Sequence, residues 1–172
     1  MVTYLDPSIY NFRTIMLQRI QTLFLAVVAV GIVGLLALPV WDKTAVDGTQ
    51  SVHLTALRLV HEQGTSSFIT PVWYIALVGG IVAGVAIFAI SQYKNRLLQS
   101  GLCAANSILM TIIMGLIMYF IFGKAKDLFE PNVTGSFGFG FYALVTSMLA
   151  NVLANRFIRR DEKLVRSQDR MR

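Results

Sequence analysis

Charged side chains are almost absent from four long stretches of this sequence and crowd into the segments between them. The stretches cover about residues 21–41, 72–93, 102–122 and 137–158. Because an α-helix rises about 1.5 Å per residue, roughly twenty apolar residues cover the ~30 Å of hydrocarbon in a bilayer. The pattern therefore predicts an all-α membrane protein, an antiparallel bundle of four transmembrane helices. A composition of 55% hydrophobic and 14% charged residues agrees with that class.

The distribution of Lys and Arg orients the predicted bundle. Most of the 15 basic residues lie before the first stretch, between the second and third, and after the fourth. Since short cytoplasmic segments are enriched in Lys and Arg, we expect both termini in the cytoplasm. Candidate contacts for anionic lipids are Arg19, Lys94, Arg96, Arg156, Arg159 and Arg160. A net charge of +6 spread in this way does not indicate a nucleic-acid surface, which needs a folded basic face.

The predicted spans divide the chain into three parts. Residues 1–15 are either a cytoplasmic lead-in or an extension that precedes a natural start at Met16. Residues 16–158 form the membrane domain, and residues 159–172 form a basic helical tail in the cytoplasm. We expect this tail to orient the protein and to contact anionic lipids; the alternative is that its apolar residues dock a cytoplasmic protein.

Two outer loops connect the helices on the opposite side of the membrane. In the longer one, residues 42–71, Val46–Thr49 predicts a tight turn, because Asp-Gly supplies the positive φ values that such turns need. The periodicity of residues 53–62 fits either a strand or a short helix, and we expect a small hairpin followed by a helical turn. The shorter outer loop covers residues 124–136.

Small and uncharged polar residues recur at helical spacing in three of the predicted spans. Ala76, Gly80 and Gly84 recur every four residues and predict a smooth face for close packing, within the bundle or against a partner. Asn106 and Asn151 fall at similar depths on antiparallel helices, so we expect their amides to pair across the interface, and Ser147 is a further candidate for helix packing. The alternative is a polar path or ligand site formed by Asn106, Ser107, Thr111, Ser147, Asn151 and Asn155.

Aromatic residues crowd the outer end of the last hairpin. They are Tyr119, Phe120, Phe122, Phe129, Phe137, Phe139, Phe141 and Tyr142. They indicate an interfacial aromatic belt or, alternatively, a pocket for an apolar ligand such as a lipid or quinone. Gly138 and Gly140 alternate with three of the phenylalanines and are expected to loosen the first turn of the fourth helix.

The sequence contains no recognised catalytic or cofactor-binding pattern. No ionisable residue lies deep in a predicted span, which argues against a proton-coupled transporter, a voltage sensor or a haem held between helices. Cys103 is the single cysteine, so an intrachain disulfide is excluded. The longer outer loop holds potential metal ligands, namely Asp42, Asp47, His53, His61 and Glu62. Their spacing matches no metal motif, and we expect no metal, no cofactor and no enzyme activity.

Four segments of the chain resemble one family of bacterial membrane proteins. They are Met16–Leu23, Trp73–Leu77, Tyr93–Gln99 and Asn155–Ser167. In this order and spacing they make the chain similar, over nearly everything from Met16 to Arg170, to the uncharacterised family known as domain of unknown function 4293, found in the Bacteroidetes group. The resemblance implies an inner-membrane protein with four helices, and it brings no activity, cofactor or site. The family opens near Met16, which favours the later start.

These expectations favour an accessory or structural subunit of a membrane assembly. Its partners would be membrane lipids and either another membrane protein or a second copy of the chain, but not nucleic acid. The alternative function is a binder or carrier of a lipid-like or quinone-like molecule, which would use the aromatic cluster and the polar faces of the last two helices. A membrane enzyme ranks third, because no nucleophile–base pair or metal site can be assembled from these residues.

Overall fold

The computed structural model describes residues 7–92, 95–126, 128–129 and 133–169, which form helices and one β-sheet. The helices are α1 (Pro7–Ala37), α2 (Trp73–Ser91), α3 (Arg96–Phe120) and α4 (Phe139–Asp169), and a π-helical turn at Ile121–Ala125 continues α3. The strands are β1 (Trp41–Thr44), β2 (Gln50–Leu54), β3 (Arg58–Gln63), β4 (Ser66–Pro71) and β5 (Ser136–Phe137).

The described residues include four helices that are long and apolar enough to cross a membrane, as the sequence predicts. α1 packs against α2 and α4, and α3 packs against the same two helices. α1 ends at Ala37, short of the expected Trp41, because the residue before Pro39 is driven away from the helical conformation. α3 begins at Arg96, earlier than expected, where the Asn95 side chain accepts the Leu98 N–H and caps the first turn.

The expected all-α class is wrong, because the described residues of the outer loops form a five-stranded antiparallel sheet with the strand order β4-β3-β2-β1-β5. The expected hairpin exists as β1 and β2, with Trp41 opposite Leu54. The expected helical turn is instead a second hairpin of β3 and β4, closed by Gly64 at a φ of +58°. β5 comes from the shorter outer loop and pairs with β1. The β1–β5 pairing joins segments far apart in sequence and is not visible to local periodicity, whereas the β3–β4 hairpin is missed because the periodicity of residues 53–62 fits a helix as well as a strand.

One face of the sheet is buried in the same apolar core as the neighbouring helix ends. Trp41, Leu54 and Leu59 lie opposite one another on adjacent strands and belong to this core. Ile75 of α2 and Phe120 of α3 contribute to it from the helices. We call this end of the helices the sheet end, and the opposite end the far end.

Two glycines bring the start of α4 against the end of α1. The Gly138 N–H donates to Val40 O and the Gly140 N–H donates to Pro39 O, both at 2.9 Å. A Cβ on Gly138 would lie 2.3 Å from Pro39 O, and a Cβ on Gly140 would lie 2.7 Å from Leu38 O. The glycines therefore permit a close backbone contact that fixes the first turn of α4, which is the opposite of the loosening expected from the sequence.

Candidate functional site

Asn106 and Asn151 are both buried between helices, and their amides bond to other groups rather than to each other. Asn151 Nδ2 donates to Cys103 O and to Ser107 Oγ, both at 2.8 Å, which ties α4 to α3. Asn106 Nδ2 donates to Val82 O of α2 at 3.3 Å. Each amide thus reaches a neighbouring helix, which is how uncharged polar residues commonly hold transmembrane helices together.

Ser147 is fully buried at a close contact between α4 and α1. Its Oγ donates to Ala143 O of its own helix at 2.8 Å and reaches Val28 O of α1 at 3.4 Å. A Cβ added to Gly31 would lie 2.1 Å from this Oγ. Ser147 therefore packs against a glycine of α1 that is not among the predicted packing residues, although the Gly31–Gly34 spacing is a signal that could have found it.

The small residues predicted on α2 face mostly outward. Gly80 and Gly84 are exposed, and a Cβ on either would meet no atom of the described structure within 4 Å. Ala76 is half-buried. The buried positions of α2 are Ile75, Gly79, Val82, Ala86 and Ala89. Close packing by the predicted face against another molecule stays a prediction.

At the far end, Arg96 of α3 pairs with Asp161 of α4, whose side chain is 2% exposed. Arg96 Nη1 lies 3.2 Å from Asp161 Oδ2 without the alignment of a hydrogen bond, and it donates to the Asp161 carbonyl at 3.4 Å. Arg96, a predicted lipid contact, thus ties two helices together. Asp161 is not among the residues predicted from the sequence, but the spacing of Asp161 from the buried Ala154 and Ile158 on one helical face is a usable signal.

Two further buried polar residues, Gln21 and Gln99, are also absent from the predicted set. Gln99 Nε2 donates to Ala89 O at 3.1 Å. Among the described residues, Gln21 Nε2 and Gln99 Oε1 have no hydrogen-bond partner. The polar interior therefore extends from Asn106 and Asn151 toward the far end, where it meets the Arg96–Asp161 pair.

The other predicted lipid contacts are either exposed at the surface or lie outside the part of the chain that the structure describes. The exposed ones are Arg156, Arg159 and Arg160. Arg159 Nε also donates to Ser100 Oγ of α3 at 3.4 Å. Lys94 and the side chain of Arg19 lie outside the described residues. Contact with anionic lipids stays a prediction for this group.

The sheet separates the two histidines that the sequence places together. His53 Nδ1 lies 2.7 Å from Asp42 Oδ1 on the outer face of the sheet. His61 is on the opposite face, with Nε2 3.3 Å from Gln50 Oε1. Among the described residues, no group of three or more His, Cys, Asp or Glu side chains is placed to hold a metal ion.

Lys43 is a cation buried under the sheet, with 2% of its surface exposed. Its Nζ donates to Lys126 O at 2.7 Å and Phe129 O at 2.5 Å, and it lies 4.6 Å from the centre of the Phe129 ring. The His61 ring stacks on the same phenylalanine at 5.8 Å. Carbonyl oxygens and an aromatic face stabilise a charge whose burial is otherwise unfavourable. Lys43 thus fastens β1 to the connection between α3 and α4.

A cavity of about 120 Å³ lies between β1, the π-helical turn and the segment that leads to β5. It is lined by Trp41, Lys43, Ile121, Phe122, Lys126, Val133, Thr134, Gly135 and Phe137. Phe122 and Phe137 belong to the predicted aromatic cluster. Phe137 also stacks on Phe141 at 4.3 Å. Because π-helical turns are frequent at functional sites, this cavity is a candidate site for a small apolar group.

The outermost strand of the sheet is a second candidate site. β4 has β3 on one side, and no other described strand pairs with it. All six of its residues are exposed, including Phe68 at 60% and Ile69 at 58%. β4 contains no charged residue. Such an edge carries backbone N–H and C=O groups that are free to pair with another strand.

Residues 17–171 match the model of the family described as Domain of unknown function (DUF4293). The chain belongs to this family. No curated protein matches the DUF4293 chain. The matched range contains the polar interior, the cavity and β4, so all of these features lie in the family domain. The family description names no activity.

Proposed function

We propose that this DUF4293 protein is an accessory or structural subunit of a membrane assembly in the bacterial inner membrane. In this proposal both termini are cytoplasmic and the sheet is outside, because basic residues collect at the far end and on the α4 tail. The protein contributes contacts rather than catalysis.

The edge of β4, with which no second strand of the described structure pairs, is the observation that carries this proposal. Native sheets commonly protect an edge strand with charges, prolines, bulges or a covering segment, since an unprotected edge pairs with other chains. Along β4, the single such residue is Pro71, at its end. Exposed Phe68 and Ile69 add apolar surface to the same strand. An edge of this composition is typical of an interface.

The size of the protein extracted from its native membrane tests this function. We expect mild detergent or a polymer nanodisc to yield a species larger than a single chain. Ile69→Lys places a charge on the β4 edge and should release the single chain. Val46→Lys is the matched control, because Val46 is 85% exposed in the turn between β1 and β2. A single chain in every mild extraction of the wild type would contradict the proposal.

The cavity supports a second candidate function, the binding or carriage of a lipid-like or quinone-like molecule. Its aromatic wall and its position beside the buried Lys43 suit an apolar group with a polar or acidic end. Native mass spectrometry of the nanodisc-extracted protein tests this function. A retained small molecule that is lost in Val133→Phe, a variant that fills the cavity, would support it. If the wild type and Val133→Phe differ in mass only by the substituted side chain, no molecule is lost from the cavity, and this second function would be excluded.

A further inference from the structure

We infer that the β4 edge pairs with an uncharged extended strand of another membrane protein, one that leaves the bilayer directly after an outward-going transmembrane helix. This inference rests on the proposed function and on the orientation given there. It specifies the chemistry, direction and position of the partner segment.

The hydrogen-bond pattern of the sheet shows which groups of β4 are available. The Val72 N–H donates to Leu57 O at 2.9 Å, so Val72 faces β3. In an antiparallel ladder successive residues point their N–H and C=O groups to alternate sides. Phe68 and Thr70 therefore face β3, whereas Ser67 and Ile69 present both backbone groups to the free edge. Pro71 offers a carbonyl there but has no N–H, so a partner strand is centred on Ser67–Ile69.

The side chains favour a strand over a lipid surface as the occupant. Phe68 shares a sheet face with His61, with ring centres 6.3 Å apart, and adjacent residues of a strand point to opposite faces. The exposed Phe68 and Ile69 therefore flank the edge on its two sides. A membrane surface would cover one of them, whereas an added strand brings apolar side chains beside both. Since β4 is uncharged, an uncharged partner strand leaves no ion without a counter-ion.

The chain direction fixes how the partner strand runs. β4 leads into the membrane-capable helix α2 through Val72 alone, so β4 runs toward the bilayer. Antiparallel strand pairs are slightly more stable than parallel ones, and all four described strand pairs of this sheet are antiparallel. We therefore expect the partner strand to run away from the bilayer. At about 3.3 Å per residue, the four residues from Ile69 to the start of α2 at Trp73 span roughly 13 Å. The partner strand must therefore begin within a few residues of its own helix.

A second copy of this chain fits that description poorly. Two copies with the same orientation in one membrane both have β4 running toward the bilayer, so a second copy presents a parallel strand. The outward-going strands of a copy are β1 and β3, and each already has a neighbouring strand on both sides, β2 and β5 for β1 and β2 and β4 for β3. The fitting partner is thus a different protein.

Photocross-linking in native membranes tests the inference. The full-length chain carries p-benzoylphenylalanine in place of Phe68, and the cross-linked peptide is sequenced by mass spectrometry. A chain with the same probe at Val46 is the positional control. We expect an adduct from Phe68 within about ten residues of the outer end of a transmembrane helix in another protein.

Two substitutions in the probe-bearing chain isolate the backbone contribution. Ser67→Ala keeps the outward N–H and should leave the adduct yield unchanged, whereas Ser67→Pro removes it and should lower the yield about fivefold or more. Proline is tolerated where a strand N–H faces outward, and the melting temperature of both variants checks the fold. If Ser67→Pro unfolds, Ile69→Lys against Ile69→Val gives the same comparison with every backbone group kept.

The outcomes separate this inference from the proposed function. An adduct with a second copy, an adduct within a helix, or equal yields for Ser67→Ala and Ser67→Pro would overturn the strand partner and leave the accessory role standing. Adducts with lipid alone, or none, would overturn both. An adduct in an outward strand that depends on the Ser67 N–H supports both.

Discussion

At the scale of single residues, Asn151 and Lys43 show how polar groups are kept in an apolar interior. Asn151 donates to Cys103 O and Ser107 Oγ, and Lys43 donates to the carbonyls of Lys126 and Phe129. Each joins elements that are distant in sequence. Their stabilising value comes from having a fixed acceptor where water is scarce.

Replacing Asn151 by Leu removes both hydrogen bonds and leaves two acceptors without this donor. We expect the free energy of unfolding to fall by about 0.6–2 kcal/mol, the range for such bonds between membrane helices. Thermal unfolding in detergent measures the change. Val152→Leu is the control, because Val152 is exposed on the same helix. Equal melting temperatures for the two variants would show that Asn151 does not hold the helices together.

In the turn between β1 and β2, the hydrogen bonds of Asp47 predict that the stability of the folded protein depends on pH. Hydrogen bonds from the Thr49 backbone N–H and then its hydroxyl lower the pKa of Asp47 below its ordinary value. Because the folded pKa is the lower one, the contribution of Asp47 is present above the unfolded pKa and is lost as pH falls through the folded pKa. Thr49→Val should raise the pKa of Asp47 part of the way back, since the backbone bond remains. NMR titration of the Asp47 carboxyl checks this, and an unchanged pKa would contradict a role for the hydroxyl.

At the scale of elements, the contact between α1 and α4 depends on backbone approach at the sheet end. Gly138→Ala would place a Cβ 2.3 Å from Pro39 O, a backbone atom that cannot rotate away. We expect a loss of about 1–3 kcal/mol in the free energy of unfolding, the range for overpacked sites. Gly84→Ala, in open space on α2, is the control and should be neutral or slightly stabilising. Thermal unfolding of both variants compares them, and equal stability would mean that the contact is not tight.

At the scale of the whole molecule, the arrangement of basic residues and the position of the sheet predict opposite locations for two reporters. A fluorescent protein that matures only in the cytoplasm should be fluorescent when it is fused after Arg172. A phosphatase that is active only after export should be inactive at the same position. A phosphatase inserted at Gly48, in the turn between β1 and β2, should be active. The reverse result at either position would overturn the orientation and, with it, the direction argued for the partner of β4.

Much of the helical part could be predicted from local sequence. Each of the four apolar stretches is long enough to cover the hydrocarbon of a bilayer, and the structure has a membrane-capable helix at each of them. Asn106, Ser147 and Asn151 could be selected as buried polar residues, because lipid cannot satisfy them. Their acceptors could not be selected, since Val82 O, Val28 O and Cys103 O depend on how the helices are rotated and shifted.

The sequence by itself determined which segments are long and apolar enough to cross a membrane and which end carries the excess of basic residues, because both follow from the local cost of burying charge. Tertiary structure decided the rest. It assembled the sheet from both outer loops, buried Lys43 under it and paired Arg96 with Asp161. It also left β4 with β3 as its one neighbouring strand in the described part of the chain. These features depend on contacts between residues that are distant in sequence. Such contacts form only in the folded chain, and no local pattern of hydrophobicity encodes them.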